Sequence, residues 1–240
     1  MEFQAFKKIA RLKRACFVTE KIDGTNGLVG ISEPGQIPDG VNVPVSTVET
    51  SAGPVSVYAG SRTRWVLPGK STDNFAFAAW VKENAEDLLR LGPGYHHGEW
   101  WGKGIQRGYG LDHRRFSLFN VSRWSGPNRG DAPECCSTVP ILYEGDFDSL
   151  RLDQCLNALR TFGSLAAPGF DKPEGLVVYH TASGTFFKRT IEGDEVPKST
   201  LVGGSADRII MDDPHAPGME GEAERQATVA WFSERLLAAA

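Results

Sequence analysis

The chain has 240 residues, 40% of them hydrophobic and 23% charged, which is enough for one large or two small globular domains with a sizeable core. The formal net charge of −4 excludes attraction of nucleic acid by overall charge, so any such site has to be a local basic surface. Four cysteines without a Cys-x-x-Cys pair indicate neither a zinc cage nor a disulfide framework and fit a reduced cytoplasmic protein, and no stretch is long enough to span a membrane.

The segment 20–27, Glu-Lys-Ile-Asp-Gly-Thr-Asn-Gly, lies between two apolar runs. This pattern predicts two strands joined by a tight turn, with Lys21 at the end of the first strand. Its glycines let a ligand approach the backbone closely, which suits Lys21 as a nucleophile on phosphorus. The alternative is a hairpin with a solvated charged tip. Residues 3–12 predict a short helix or an extended lead-in to the first strand.

Residues 32–54 are rich in Pro, Gly, Ser and Thr, and this composition predicts a variable loop. A strand is predicted at 55–58, and Arg62 and Arg64 follow it. Two arginines directly after a strand either contact phosphate or ribose through forked hydrogen bonds or are exposed turn arginines.

The clearest helix is predicted over 73–91, where apolar residues recur at helical spacing. Asp73 or Asn74 supplies its N-cap, and Gly92 ends it. The aromatic residues of this helix are expected to lie in the core.

A strand is then predicted over 95–102, with Glu99 near its end. His96 and His97 are adjacent on this strand and therefore point to opposite faces, which makes a shared metal ion improbable. The glycine-rich, basic loop 103–110 leads to a strand at 114–121.

Further elements are predicted towards the C-terminus. We expect a strand at 139–143 and an amphipathic helix over 150–162 that Gly163 ends. A hairpin joins strands at 173–179 and 184–189. The inward residues of the helix are expected to be Leu152, Cys155, Leu156 and Leu159. The last part of the chain predicts a polar loop, 191–221, and a closing helix, 222–239.

Four short motifs occur in one fixed order: Lys-x-Asp-Gly at 21–24, an arginine after the next strand, Gly-Glu at 98–99, and Glu-Gly followed by two apolar residues and a strand lysine. Over about residues 16–190 this set resembles the covalent nucleotidyltransferase superfamily, most closely the ATP-dependent RNA ligases that seal 3′-hydroxyl to 5′-phosphate ends. The resemblance implies an α+β fold of two packed, mostly antiparallel sheets with flanking helices and a nucleotide groove between them. It implies an adenylation domain over 1–192 and a loop with a C-terminal helical appendage over 193–240.

The resemblance also assigns roles to single residues. Lys21 is expected to attack the α-phosphate of ATP, which gives a lysyl-AMP intermediate. ATP and Mg²⁺ (or Mn²⁺) are the implied cofactors, and RNA ends with a 5′-phosphate and a 3′-hydroxyl are the implied partners. The other expected roles are the adenine edge for Glu20, the ribose and RNA end for Arg62, a ribose hydroxyl for Glu99, adenine stacking for Phe119, the divalent metal or its water for Glu174, and the α-phosphate for Lys188.

This sequence departs from the family pattern at two positions. Where the family carries two lysines, two residues apart on the last strand, Phe186 occupies the first position and only Lys188 remains. Arg189 or Lys172 could supply the missing charge, and Lys172 is preferred because Arg189 has the opposite parity on the strand. Asn120 stands where an acid is common after the stacking aromatic residue.

Three alternative functions use similar motifs. A DNA or mixed-substrate polynucleotide ligase uses the same residues. A GTP-using capping enzyme is disfavoured because residues 193–240 are too few for the OB domain that such enzymes carry. A non-catalytic nucleotide-binding module is disfavoured because Lys21, Glu99, Glu174 and Lys188 are all present.

Overall fold

A computed structural model describes residues 3–6, 8–36, 42–125 and 132–192. These residues form an α+β fold with two mostly antiparallel sheets. The strands are β1 (Ala15–Lys21), β2 (Thr25–Ile31), β3 (Ser46–Thr50), β4 (Gly53–Gly60), β5 (Trp65–Val66), β6 (Gly94–Gly102), β7 (Arg114–Leu118), β8 (Cys136–Thr138), β9 (Ile141–Asp146), β10 (Gly175–His180) and β11 (Thr185–Thr190). The helices are α1 (Phe77–Glu83), α2 (Ala85–Leu88), a 3₁₀ turn (Leu89–Leu91), α3 (Val121–Trp124) and α4 (Ser149–Phe162).

The first of two compact units contains the described residues up to 21 and from 140 to 192. Its described part is a four-stranded sheet in the order β11-β10-β1-β9, and α4 supplies apolar residues to the same core. Asp148 caps α4 by accepting a hydrogen bond from the Leu150 amide at 2.9 Å, and Gly163 ends the helix with a φ of 82°. The predicted inward residues of α4 are buried, so this helix is confirmed.

The second unit contains the described residues from 22 to 139. Its seven-stranded sheet has the order β3-β4-β2-β6-β7-β8, with β5 paired to β4, and only the β7–β8 pair is parallel within the described residues. Aromatic rings from α1 and the sheet fill its core, as in the contact of Phe77 with Phe116 at a centroid distance of 5.2 Å. Such tilted ring pairs are favourable, and together they fix α1 on the sheet.

The predicted hairpin around Lys21 does not form. β1 pairs with β9 and β10, whereas β2 pairs with β4 and β6, so the two strands belong to different sheets. The three-residue link between them is bound by side chains instead of closing a turn. The Asp23 amide donates to the Tyr109 hydroxyl at 2.8 Å, and the Gly24 amide donates to Glu99 Oε1 at 3.1 Å.

The helix predicted over 73–91 begins later and is interrupted. Phe75 and Ala76 have φ values of 51° and 56°, so the helix starts only at Phe77. The N-cap residue is therefore Ala76 and neither Asp73 nor Asn74, but the Asp73 carboxylate still accepts hydrogen bonds from the amides at the second and third helical positions, at 2.8 and 3.0 Å. The interruption lies at Asn84, whose side chain donates to the Trp80 carbonyl at 2.8 Å and competes with the helix backbone.

Several strand boundaries differ from the predictions. The loop expected over 32–54 contains β3, an edge strand. Its residues are mostly polar, so its sequence does not have the apolar alternation that predicts a strand. The strand expected over 114–121 ends at Leu118, and Asn120 caps α3 by accepting a hydrogen bond from the Arg123 amide at 3.2 Å. No predicted strand corresponds to β8, and the strand expected at 139–143 is β9, which begins two residues later.

Other predictions fare better. The hairpin of β10 and β11 is confirmed, with an antiparallel register from Gly175↔Thr190 to His180↔Thr185. The described residues among 3–12 form no helix, which leaves the extended lead-in. The predicted loop and helix over 193–239 lie outside the described residues, and the proposed domain boundary at 192 stays a prediction. No described helix combines the length and apolarity needed to cross a membrane.

Candidate active site

The first unit brings Lys21 and Glu174 into contact. Lys21 is the last residue of β1 and pairs with Gly175, so the residue just before β10 lies beside it. Lys21 Nζ is 2.5 Å from Glu174 Oε2, and the two side chains are 24% and 14% exposed. A Cβ at Gly175 would lie 2.2 Å from the Arg189 carbonyl oxygen, so only glycine allows this close approach of β10 and β11. The predicted nucleophile therefore has an acidic partner 153 residues away.

Glu20 lies on the opposite face of β1, inside the first unit. Its side chain is 1% exposed. Glu20 Oε1 accepts a hydrogen bond from the Ser164 hydroxyl at 2.6 Å, and Oε2 accepts from the amides of Leu165 and Ala166 at 2.8 and 2.9 Å. The carboxylate thus fixes the turn that follows α4, and no motif around Ser164 could have identified that contact from the sequence.

Burial dominates the acidity of Glu20. It raises the pKa of Glu20 from an ordinary value of 4.5 to about 7, because a low-dielectric environment disfavours the charged form. The three hydrogen bonds from Ser164, Ala166 and Leu165 act in the opposite direction and offset part of this rise.

Lys188 lies on the same face of the four-stranded sheet as Lys21. Directly paired residues of neighbouring strands share a face, and Val177 of β10 pairs with both Thr19 and Lys188. Thr19 has the parity of Lys21 on β1. Arg189 lies on the other face, where its Nη1 is 2.5 Å from Asp153 Oδ1 of α4.

In the second unit, Glu99 and the basic loop hold the residues that follow Lys21. Glu99 is half-buried on β6 and accepts the Gly24 amide. A Cβ at Gly24 would lie 2.6 Å from the Trp100 carbonyl oxygen, which explains the glycine of the Lys-x-Asp-Gly motif. Arg107 Nε donates to Asp23 Oδ2 at 2.9 Å. Arg107 and Tyr109 were not among the predicted site residues, although the basic, glycine-rich composition of their loop was a usable signal.

Two further predicted site residues also lie in the second unit. Phe119 is half-buried just beyond β7, and its amide donates to the His97 carbonyl at 3.0 Å. Phe116, within the strand, is fully buried in the core. Arg62 is exposed in the turn closed by the Ser61–Arg64 backbone hydrogen bond of 2.8 Å.

Among the described residues, no group of three or more His, Cys, Asp or Glu side chains could hold a metal ion by itself. Glu174 offers a single half-buried carboxylate, which fits a cation that keeps most of its ligands as waters and substrate phosphates. His96 is buried and bonded to the Gly92 carbonyl at 2.8 Å, whereas His97 is exposed, so the two rings do face opposite sides.

The chain resembles solved structures and one protein family. No curated protein matches it. Among solved structures, an apo mutant of a Naegleria gruberi RNA ligase is 21% identical to this chain, with a TM-score of 0.49. The match covers 76% of this chain and 51% of the ligase chain. A mutant of the Naegleria gruberi RNA ligase with ATP and Mn is 20% identical with a TM-score of 0.46, covering 76% of this chain and 50% of its own. The chain thus spans about half the length of these structures.

The sequence profile of the RNA ligases matches residues 14–191, nearly three quarters of the chain. The matched range contains Lys21, Glu99, Glu174 and Lys188. The chain therefore belongs to the RNA ligase family.

Proposed function

We propose that this protein is an ATP-dependent RNA ligase that joins 3′-hydroxyl and 5′-phosphate ends through lysyl-AMP and RNA-adenylate intermediates. The observation that carries the proposal is the contact of Lys21 Nζ with Glu174 Oε2 at 2.5 Å in a chain of the RNA ligase family. A partly exposed lysine held by a partly buried carboxylate is a nucleophile with an orienting partner.

Lys21 carries the first step. Its amine attacks the α-phosphorus of ATP, a P–N bond forms, and the bond to pyrophosphate breaks. Glu174 orients Nζ and lies within reach of the proton that the amine loses. AMP then passes from Lys21 to the 5′-phosphate of RNA, and attack by the 3′-hydroxyl forms the phosphodiester and releases AMP.

The charge of the phosphates has to be balanced during this sequence. Lys188 lies on the face of Lys21 and is assigned to the α-phosphate. Glu174 would hold Mg²⁺ or Mn²⁺ together with nucleotide phosphates and waters, in keeping with its single carboxylate. The bound cation would supply neutralisation of the triphosphate charge.

We propose that Glu99 takes a ribose hydroxyl, that Phe119 stacks on the adenine, and that Arg62 contacts the ribose and the RNA end. The half-buried position of Phe119 supports stacking, because a ring in the core offers no face to a base. The exposed position of Arg62 leaves its planar guanidinium accessible for forked hydrogen bonds.

Glu20 is given a different role from the adenine contact that the resemblance implies. Its carboxylate is 1% exposed and accepts three hydrogen bonds from the turn after α4. We propose that Glu20 positions the end of β1, and with it the neighbouring Lys21. The cytoplasmic location expected from the cysteines stays a prediction.

Covalent labelling tests the proposal. The full chain, incubated with α-labelled ATP and Mg²⁺ and then denatured, should retain a label that acid removes, as expected for a phosphoramidate. Lys21→Ala should abolish the label, whereas Lys82→Ala, at an exposed helical lysine, should not. Label on Lys21→Ala would contradict the assignment. Absence of label on the wild type would favour the nucleotide-binding module.

Sealing assays separate the remaining alternatives. Strands with a 5′-phosphate and a 3′-hydroxyl should be joined when they are RNA. Equal or faster joining of matched DNA ends would favour the DNA or mixed-substrate ligase over the RNA ligase.

A further inference from the structure

Three aromatic side chains form a row on the face of the four-stranded sheet that carries Lys21. Phe17 pairs with Tyr179, and Tyr179 pairs with Phe186, so the three share one face of β1, β10 and β11. The rings of Tyr179 and Phe186 lie at a centroid distance of 4.6 Å and an angle of 34°. Phe17 and Tyr179 are half-buried, and Phe186 is 63% exposed. We refer to these three residues as the aromatic row.

The position of the aromatic row relative to the lysines is fixed by the strands. Phe186 lies two residues before Lys188 on β11, about 7 Å along the strand. Phe17 lies four residues before Lys21 on β1, about 13 Å away. Along the strands, the aromatic row therefore lies one pleat beyond Lys188 and two pleats beyond Lys21 on the same face. In the strand direction, Lys188 is nearer to the row than Lys21 is.

This face also carries the exposed carboxylate of Glu144, which pairs with Phe17 on β9, but the three rings and Lys188 suit one class of ligand. Exposed aromatic rings offer flat apolar faces, and the π-faces of nucleobases stack on such rings irrespective of sequence. An exposed lysine on the same face complements the phosphate that follows each base. Unpaired nucleotides supply both groups, whereas a duplex keeps its bases stacked on one another.

We propose that the aromatic row is a stacking surface for unpaired bases of the RNA strand, next to the end on which Lys21 and Lys188 act. The proposal rests on the proposed ligase function and adds a substrate class to it, a single-stranded RNA end. It also gives Phe186 a role of its own. The ring occupies a position at which the family places a lysine. It contributes base stacking at a position where the family lysine would contribute a positive charge.

Phe187 offers a matched control on the same strand. It is 55% exposed but pairs with Val178, whose side chain lies in the core beneath α4, so Phe187 is on the opposite face. Replacing Phe186 and Phe187 in parallel removes the same ring from the same edge strand and changes only the face.

The experiment measures binding of a fluorescent 10-nucleotide single-stranded RNA with a 5′-phosphate to the full chain, without ATP, by anisotropy. Phe186→Ala and Tyr179→Ala should raise Kd by about tenfold, within the range for loss of one stacked base. Phe186→Trp should keep the affinity, Phe186→Leu should lose it while the apolar volume is retained, and Phe187→Ala should leave Kd unchanged. Thermal unfolding of each variant checks that it is folded.

Several outcomes would overturn the inference. Equal Kd for wild type and Phe186→Leu, equal losses at Phe186 and Phe187, or an equal loss with a blunt RNA duplex would each contradict stacking on unpaired bases. If Phe186→Leu instead converts a dimer to a monomer in sedimentation without affecting RNA binding, the row is a contact between copies. If Phe186→Leu only lowers the melting temperature, the row is covered by this chain.

The ligase proposal is measured separately by the label on Lys21. Phe186→Leu should take up label from ATP as the wild type does, because the row lies beyond Lys188. Wild-type protein that binds RNA through the row but takes no label would leave the stacking surface intact and refute the ligase. If the protein takes up label but its affinity for RNA does not change when Phe186 is replaced, the ligase proposal stands and the stacking surface is refuted.

Discussion

Replacing Glu20 by glutamine should change how the stability of this protein depends on pH. The carboxyl is 1% exposed, and its oxygens accept hydrogen bonds from Ser164, Leu165 and Ala166. Burial raises the pKa of Glu20 to about 7 in the folded protein. Glutamine has nearly the same shape and does not ionise, so the substitution removes the titration and keeps the volume.

The sign and size follow from linkage. The folded pKa of about 7 exceeds the ordinary value of 4.5, so between these pH values the folded chain holds the proton more tightly than the unfolded chain. The stabilisation is complete below pH 4.5 and is lost as the pH rises to about 7. One pKa unit corresponds to 1.36 kcal/mol. The pH-dependent loss is therefore about 3 kcal/mol, which corresponds to a shift in Tm of roughly 6–12 °C for a chain of this size.

Thermal unfolding of wild type and Glu20→Gln from pH 4 to pH 8 measures this effect. The amide of glutamine faces hydrogen-bond donors, which adds a pH-independent cost of about 1–3 kcal/mol. The difference curve between the two proteins separates the terms, because its slope reports the titration and its offset reports the hydrogen bonds. Glu144→Gln, at an exposed position of β9 in the same sheet, is the control. A flat difference curve for Glu20→Gln would refute the buried, proton-retaining carboxyl.

Three further predictions concern the proposed site. Glu174→Gln should slow labelling of Lys21 at least about tenfold, which initial rates measure. The same change should cost no more than about 1 kcal/mol of stability, measured by Tm, because the pair is partly exposed. Phe119→Ala should raise the KM for ATP about 5- to 150-fold through lost stacking, whereas Phe116→Ala should cost about 3–5 kcal/mol of stability instead. Lys172→Ala should slow adenylation or transfer more than Arg189→Ala, measured with ATP and with pre-adenylated RNA.

Local patterns in the sequence predicted the elements whose determinants are local. The helix α4 has a capping aspartate, a regular apolar face and a terminal glycine, and all of these act within about one turn. The β10–β11 hairpin is similar, since two strands and the turn between them are adjacent in the chain. The assignment of both needed no knowledge of distant residues.

Predictions failed where distant residues decide the structure. The apolar runs on either side of Lys21 suggested a hairpin, but each of the two strands pairs with strands that lie far along the chain. The contacts of Glu20 with the turn after α4 span at least 144 residues, so nothing in the neighbourhood of Glu20 reveals them. The start of α1 moved because Phe75 and Ala76 adopt left-handed backbone angles that side-chain identity does not predict.

The alternation of β11 bears on which cation we expect to supply the charge that a lysine at the position of Phe186 would give. Arg189 points to the face of α4, where Asp153 holds it at 2.5 Å, so its charge is already balanced away from Lys21. Lys172 is exposed two residues before Glu174, the partner of Lys21, and is therefore the nearer source of charge along the chain. If Arg189→Ala proves the more damaging change for chemistry at unchanged stability, the face assignment of β11 is wrong. If neither variant changes any step, one lysine on this face, Lys188, suffices for the phosphate.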